Sequence, residues 1–343
     1  MPEPSNPLRL AALLCVAVAC VARVSSGAVE GTVINGTTGQ PAGGVLLTLS
    51  SFLGGMTPVE ETVSAADGRF AFTKALPSVA EGQPFAGAVR AELDGVFYTE
   101  ILRRDSALDD VRIQVYSARA SAIPAPSIRV VVLEPEGSTM TVRETFVIAN
   151  SSVPPVTYSS EQGTLKFYLP DEANGQVSAS ATGPAGMPLP STAQPTGSDS
   201  IYMIDFGLKP GESRISLQYA VPYEGAAAFR IRSVYDGLET RLGVPEGVTV
   251  EGAGIVPLGT EPTMRASLFG IPGNEPVDLV VKGQGTLAQR PSPAAEISIE
   301  AAPVAKELAW IVVISTLILG LGFLHLLNSK APPRRGSLHA GRG

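Results

Sequence analysis

Two long, predominantly apolar runs without Asp, Glu, Lys or Arg lie near the two ends of this chain. The first covers residues 10–22, follows Arg9 and precedes small residues at positions 25–28. A run of this length is too short to span a bilayer, so the pattern predicts a secretory signal peptide over residues 1–28. The tetrad that ends at Cys20 loosely resembles a lipobox, and lipoprotein processing is therefore an alternative to ordinary cleavage.

The second apolar run extends from Leu308 to Leu327 without an Asp, Glu, Lys or Arg. As a helix it would measure about 30 Å, which matches the hydrocarbon thickness of a bilayer. We therefore expect a transmembrane helix over residues 307–328. The tail, residues 329–343, contains basic but no acidic side chains. The positive-inside rule predicts a cytoplasmic tail, and the preceding domains would lie outside the cytoplasm, in the periplasm or at the cell surface.

Three residues of the predicted span carry secondary hypotheses. His325 is the only ionisable side chain from Leu308 to Leu327 and lies near the cytoplasmic end of the span, where we expect it to snorkel to the interface. Thr316 and Gly320 form a small-xxx-small pair that would allow another helix to approach closely.

Between the two apolar runs, short stretches rich in Val, Ile, Leu, Phe, Tyr and Thr alternate with Gly, Pro, Asn-Gly and Asp-Gly. This pattern is typical of antiparallel β-sandwiches, and no stretch shows a helical period. The predicted strands are residues 29–34, 45–49, 61–63, 70–72, 85–93, 96–102, 110–116, 128–133, 140–149, 164–169, 177–182, 202–206, 214–219, 229–233, 238–243, 248–251, 265–269 and 277–281.

The breaks in this pattern suggest a domain organisation. Residues 119–126 contain two prolines and no strand pattern, so they are expected to link a first sandwich, residues 29–118, to a second β region, residues 127–283. The second region is expected to be immunoglobulin-like, either as one unit or as two units split near residue 223. Residues 284–306, rich in Ala and Pro, are predicted to form a stalk.

Four segments of the first sandwich carry a family resemblance. GTVIN from Gly31, TGQPA from Thr38, GVLLTL from Gly44 and ADGRFAF from Ala66 resemble the carboxypeptidase regulatory-like family. The resemblance covers residues 29–118 and implies a prealbumin-like, seven-stranded sandwich of the carbohydrate-binding-like superfamily in a bacterial protein. This module is attached to many unrelated secreted proteins, so the resemblance implies a fold and not a function.

The residue types of these segments also have a local explanation. Gly39 and Gly68 are expected to supply the positive φ that tight turns need, and Asp67-Gly68 is predicted to close a hairpin. Phe70 and Phe72 should point to the same face, because side chains alternate along a strand. Asp67 is expected to be a turn residue, with cation binding as the alternative.

Charge and cysteine content exclude several classes of protein. Outside the signal peptide and the tail there are 31 acidic and 19 basic residues, whereas a nucleic-acid surface requires a positive balance. The 36 glycines and 29 prolines follow no collagen period and indicate a turn-rich chain. Cys15 and Cys20 both lie in the predicted signal peptide, so we expect no disulfide in the mature protein.

The positions of the histidines restrict the available chemistry further. The two histidines are His325 and His339, so residues 29–306 contain neither His nor Cys. This excludes Ser-His-Asp and Cys-His catalysis, histidine zinc sites and thiol redox chemistry from the exported part. A carboxylate pair could support glycoside hydrolysis, but the sequence singles out none. We therefore predict a protein that is not an enzyme, with no catalytic residue, metal ligand or cofactor.

Two functions remain after these exclusions. The first is a membrane-anchored interaction module, an accessory or scaffold component of an envelope complex that binds protein partners through strand edges and the proline-rich stretch 183–200. That stretch is either a partly paired edge or a binding loop.

The alternative is a cell-envelope protein that binds polysaccharide. Sugar-binding sites commonly stack sugars on exposed aromatic rings. The only Trp of the chain, Trp310, falls in the predicted span. We expect the tyrosines near turns or strand ends to pack in the fold and not to stack on sugars; these are Tyr98, Tyr158, Tyr223 and Tyr235.

Overall fold

The computed structural model describes residues 29–53, 55–77, 85–103, 107–198, 200–273 and 275–288. The predicted signal peptide, the transmembrane helix, the tail and the stalk beyond residue 288 lie outside these residues. Within the described ranges, no helix is long and apolar enough to cross a membrane. The helical element found there is one 3-10 turn, Asp171–Ala173.

The described chain is mainly β, as the pattern of the sequence predicts. In chain order the strands are β1 Glu30–Asn35, β2 Gln40–Pro41, β3 Leu46–Ser51, β4 Thr57–Val63, β5 Arg69–Ala71, β6 Phe85–Leu93, β7 Val96–Arg103, β8 Val111–Val115, β9 Ala118–Arg119, β10 Ile128–Glu136, β11 Thr139–Asn150, β12 Thr157–Tyr158, β13 Leu165–Tyr168, β14 Ser178–Thr182, β15 Pro188–Ser191, β16 Gln194–Pro195, β17 Ile201–Ile204, β18 Gly211–Pro222, β19 Ala226–Ile231, β20 Glu239–Pro245, β21 Val248–Gly252, β22 Val256–Glu261, β23 Ala266–Ile271 and β24 Val277–Gly283.

Every strand predicted from the sequence overlaps an observed strand. The strands that the pattern did not predict are β2, β9, β12, β15, β16 and β22. Most of these are very short, and β15 and β22 contain proline or glycine, which mask the alternation that identifies a strand.

A first hydrophobic core lies between two four-stranded sheets. One sheet contains β2, β1, β5 and β8, and the other has the order β4-β3-β6-β7. Val33 and Ile113 enter the core from the first sheet, and Leu47 enters it from the second. Phe70 and Phe72 are both buried, with ring centroids 5.8 Å apart in an edge-to-face arrangement. The prediction that these two rings share a face is therefore confirmed.

The turn at Asp67 and Gly68 does not close a hairpin, contrary to the prediction. β4 pairs with β3, whereas β5 pairs with β1, so this turn carries the chain from one sheet to the other. The residue types identify a turn but not the strands on either side that pair. Gly68 has φ +77°, and Asp67 Oδ1 accepts the Arg69 amide at 3.1 Å, as expected of a turn residue. Gly39 has φ +73°, also as predicted.

The sheets are not purely antiparallel, which is a second correction. β1 pairs with β8, β10 with β20, and β9 with β12 in parallel. In each pair the two strands are far apart in sequence, and the long connections allow the chain to return in the same direction. Local alternation reveals strands but not these directions.

A second hydrophobic core lies against an eight-stranded sheet of order β15-β14-β18-β11-β10-β20-β23-β22. Two three-stranded sheets, β13-β17-β16 and β19-β24-β21, contribute side chains to the same core. Leu133 and Leu217 precede residue 223, whereas Leu242 and Leu279 follow it, yet all four belong to this one cluster.

Residues 183–198 of the proline-rich stretch, which the structure describes, form a partly paired edge. β15 pairs with β14 at the border of the eight-stranded sheet, and β16 pairs with β17. Of the two alternatives left open by the sequence, the structure thus has the partly paired edge.

Candidate interaction surface and clefts

An exposed apolar row crosses the outer face of the β4-β3-β6-β7 sheet. Val63 pairs with Leu46, Leu46 with Glu92, and Glu92 with Phe97, so these four residues stand side by side on four strands. Val63, Leu46 and Phe97 are 56%, 39% and 46% exposed. The guanidinium of Arg90 lies 4.7 Å from the centroid of the Phe97 ring. We call Leu46, Val63, Arg90, Glu92 and Phe97 the outer row.

The composition of the outer row resembles that of a protein interface. Single exposed apolar residues are ordinary on any surface, but here three of four adjacent strands present one in the same row. With strands about 4.8 Å apart, the row measures roughly 14 Å. Aromatic and arginine side chains dominate the binding energy of many protein interfaces, and the stacked pair of Arg90 and Phe97 supplies both.

The free edges of this sheet and of the eight-stranded sheet are protected. Pro58 and a bulge interrupt β4, Pro188 and Pro190 lie in β15, and Pro257 lies beside a bulge in β22. In β7, Glu100 occupies a position on the same side as the buried Tyr98 and Leu102, and burial raises the pKa of its carboxyl. Prolines, bulges and inward charges all oppose the addition of a further strand. The expectation that partners bind at these edges therefore has little physical support.

The tyrosines that could have served as sugar platforms are packed into the fold. Tyr98, Tyr158 and Tyr223 are buried. Tyr235 is half-buried, and its hydroxyl accepts the amide of Lys166 at 2.9 Å. Across the described residues, Phe97 is the exposed aromatic side chain, and Arg90 already lies over its ring. The expectation that the four tyrosines pack is confirmed.

Side-chain contacts join the two cores. The Tyr98 hydroxyl, in β7, is 2.8 Å from Thr157 Oγ1, in β12, and the Thr37 hydroxyl donates to the Pro155 carbonyl at 2.6 Å. The Lys209 ammonium lies 4.9 Å from the centroid of the Tyr98 ring, and desolvation lowers the pKa of Lys209. These contacts, with the parallel pair β9 and β12, connect the two cores.

A polar cleft of about 660 Å³ lies beside this junction, and its carboxylates include Asp94, Glu161 and Asp205. Asp94 accepts the amide of Ala118 at 3.1 Å, and Asp205 accepts the amide of Ser160 at 3.4 Å. Desolvation raises the pKa of Asp205, and the charge of Glu161 adds to this effect. Among the residues that the structure describes, no group of three His, Cys, Asp or Glu is placed to hold a metal ion. Two of the cleft's carboxylates thus hold the backbone, Asp94 at β9 and Asp205 at Ser160.

A second, smaller cleft of about 260 Å³ opens beside the second core. Its walls include Tyr168, Pro222 and Phe229, and Glu172, Arg230 and Asp278 also line it. We call it the Tyr168 cleft. Arg230 and Asp278 form a two-point ion pair at 2.6 and 3.0 Å.

The most buried charged cluster lies within the second core. The Arg129 side chain is 3% exposed and that of Glu144 is 0% exposed, and Arg129 Nη2 lies 2.7 Å from Glu144 Oε2. The Tyr219 hydroxyl donates to Glu144 Oε1 at 2.7 Å, and Arg129 Nη1 donates to the Arg232 carbonyl at 3.0 Å. Burial raises the pKa of Tyr219, and the charge of Glu144 raises it further. The three side chains are a structural cluster, because the core encloses them.

Sequence analysis named neither the outer row nor this cluster. Arg129 and Glu144 left one signal in the sequence, because each is a charged residue at a position where the alternation of its strand predicts a buried apolar side chain. No comparable signal exists for the outer row, because strands distant in sequence assemble it.

No protein-family model matches the chain, and the comparison with curated proteins gives no match either. Among solved structures, similar ones include an M1 zinc metallopeptidase from Deinococcus radiodurans and a mutant of that enzyme bound to a Tyr-Ser-Ala substrate. Each has 12% identity and a TM-score of 0.27, and each alignment covers 48% of this chain. This chain spans 43% of the length of either structure.

Proposed function

We propose that this protein is a non-enzymatic interaction module, an accessory or scaffold component of an envelope complex. The observation that carries the proposal is the outer row, because it is a solvent-exposed apolar surface on a rigid sheet. Leu46, Val63 and Phe97 cost free energy when they face water, and a partner that covers them recovers roughly 25 cal/mol per Å² of apolar area. The Arg90 and Glu92 side chains would then orient that partner.

The proposed location is outside the cytoplasm, attached to the membrane by the helix from Leu308 to Leu327. Support for this part comes from the sequence alone, namely the apolar run at each end and the basic tail. A reporter fused after Gly343 is expected to be active only in its cytoplasmic form. Activity of an exported reporter at that position would contradict the proposed topology.

A protein partner is favoured over polysaccharide by the state of the aromatic side chains. Sugar binding commonly uses an exposed aromatic face as a platform. The eight tyrosines are buried or half-buried, and Arg90 occupies a face of Phe97. In contrast, a cation stacked on an exposed ring suits a protein interface well.

Site-specific photo-crosslinking in cells tests the proposal directly. A photoreactive amino acid is introduced at position 46, 63 or 97 of the full chain, and crosslinked species are identified by mass spectrometry. The matched control is position 114, because Gln114 is exposed on β8 of the other sheet of the same core. We expect one recurrent protein partner from all three positions of the outer row and little from position 114.

Two results would contradict the proposal. One is equal crosslinking from Gln114 and from the outer row, which would indicate random collisions. The other is Phe97→Ser leaving the recovery of a partner unchanged, since removal of the stacked ring should weaken a true interface by at least tenfold.

A further inference from the structure

The Tyr168 cleft contains polar groups that the protein itself leaves without a partner. Among the described residues, none forms a hydrogen bond or ion pair with the Tyr168 hydroxyl or the Glu172 carboxylate, both of which belong to residues that line the cleft. The neighbouring Arg230 and Asp278, by contrast, satisfy each other. A cleft with an unused hydroxyl donor and an unused carboxylate can accept polar groups of a ligand.

The walls between these groups are apolar. Pro222 and Pro170 line the cleft, and Phe229 and Val221 are each 6% exposed. The volume of about 260 Å³ accommodates one or two small side chains and not a folded partner. The guanidinium carbon of Arg232 lies 5.5 Å from the centroid of the Tyr168 ring, so this ring is already stacked. This contact covers one face of the ring, and the hydroxyl is the polar part of Tyr168 that remains available.

Extended proline-containing peptides match this arrangement. In the polyproline II conformation a chain forms no internal hydrogen bonds, so its carbonyls need donors. The Tyr168 hydroxyl is such a donor. Burial raises its pKa, with contributions from the charges of Asp171 and Glu172, and it therefore keeps its proton at neutral pH. Proline rings pack well in grooves lined by aromatic and proline side chains.

The charge of the site indicates what should stand beside the proline. Glu172 is exposed and unpaired, and it would attract a lysine or arginine of the ligand. The exported part of the chain has 31 acidic and 19 basic residues, so a basic partner is also favoured at long range.

We infer that the Tyr168 cleft binds an extended, proline-containing segment of a protein partner, with a basic side chain of that segment at Glu172. This inference rests on the interaction role proposed above, but it uses a different surface from the outer row. The prolines would occupy the space between Tyr168, Pro222 and Phe229.

A peptide array with the full chain in detergent tests the inference. The probe is a set of immobilised heptapeptides of random sequence, and bound protein is detected by a label. We expect enrichment of prolines beside lysine or arginine. Glu172→Lys should lower binding of the enriched peptides about tenfold by charge reversal, and Tyr168→Phe should lower it several-fold. Glu161→Lys makes the same charge change in the polar cleft beside the contacts between the two cores. It is the matched control, and this variant should bind the enriched peptides as the parent does.

The outcomes separate this inference from the proposed function. Absence of enrichment, or enrichment that survives both Glu172→Lys and Tyr168→Phe, overturns the cleft inference while crosslinking at the outer row still supports the interaction role. Phe97→Ser should abolish those crosslinks and leave peptide binding unchanged. Binding of an immobilised oligosaccharide that is lost in Tyr168→Phe would instead assign the cleft to sugars. Circular dichroism of each variant verifies the fold.

Discussion

Replacing Glu144 with glutamine should destabilise the second core strongly, although it changes the shape of the side chain very little. Glu144 Oε2 accepts from Arg129 Nε at 2.9 Å and lies 2.7 Å from Nη2, and Oε1 accepts from Tyr219. In Glu144→Gln the amide oxygen can still accept from Arg129, and the Tyr219 hydroxyl can turn to accept from the amide nitrogen. The hydrogen bonds are thus largely kept, and the lost quantity is the negative charge.

The expected cost follows from the burial of Arg129. Its side chain is 3% exposed, so Glu144→Gln leaves an uncompensated cation in the core. Breaking a buried pair in this way costs about 3–5 kcal/mol. Tyr219→Phe removes one hydrogen bond to a charged group and should cost about 1.5–3 kcal/mol. The triple variant Arg129→Met, Glu144→Leu, Tyr219→Phe removes all the charges and should be as stable as the parent or more so.

Urea unfolding of the full chain in detergent, followed by far-ultraviolet circular dichroism, measures these differences. The slope of free energy against urea should be unchanged between variants, so that the midpoints report stability. A Glu144→Gln variant within about 1 kcal/mol of the parent would refute the reasoning, because Arg129 would then need no counter-charge. A triple variant less stable than Glu144→Gln would refute it as well.

Three further predictions concern a turn, the junction and the dependence on pH. Gly68→Ala should cost at least about 2 kcal/mol in urea unfolding and Gly39→Ala only about 1, because both have positive φ but only at Gly68 would a Cβ lie 2.5 Å from the Val33 carbonyl oxygen. Tyr98→Phe should cost about 1–3 kcal/mol, because it leaves the Tyr116 carbonyl and the Thr157 hydroxyl without their partner. Amide hydrogen exchange should then become faster at β9 and β12, and unchanged exchange would contradict this prediction. Stability should fall as pH rises above about 10. There the unfolded chain releases the Tyr219 proton, whereas the folded protein keeps it because burial raises the pKa of Tyr219. Tyr219→Phe should therefore make the free energy of unfolding depend less steeply on pH.

The strands were predictable from the sequence because alternation is a local signal. β10 and β11 show it plainly, and their inward positions form part of the second core. The pairing of strands was not predictable from the same signal. Asp67-Gly68 has the residue types of a hairpin turn, yet it connects β4 and β5 in different sheets. The turn residues determine where the chain reverses. Which sheet each flanking strand joins depends on the side chains that the strand buries in the core.

The candidate surfaces were even less accessible to sequence reasoning. Leu46, Val63 and Phe97 are far apart along the chain, and only the register of four strands makes them neighbours. Arg129 and Glu144 left a partial signal, because each interrupts an apolar alternation on the core side. Their contact could not be inferred, since the register of β10 against β11 was not predicted.

The arrangement of the two proposed surfaces has a consequence for how a partner would be held. The outer row belongs to the first core and the Tyr168 cleft to the second, and both lie in the same compact unit, which ends at Ala288. The contact of Tyr98 with Thr157 and the pair of β9 with β12 limit relative motion of the two cores. A partner that reaches both surfaces would therefore meet them at a fixed spacing, and its second contact would form at a high effective concentration. Two weak sites joined in this way can retain a partner that neither site would retain alone.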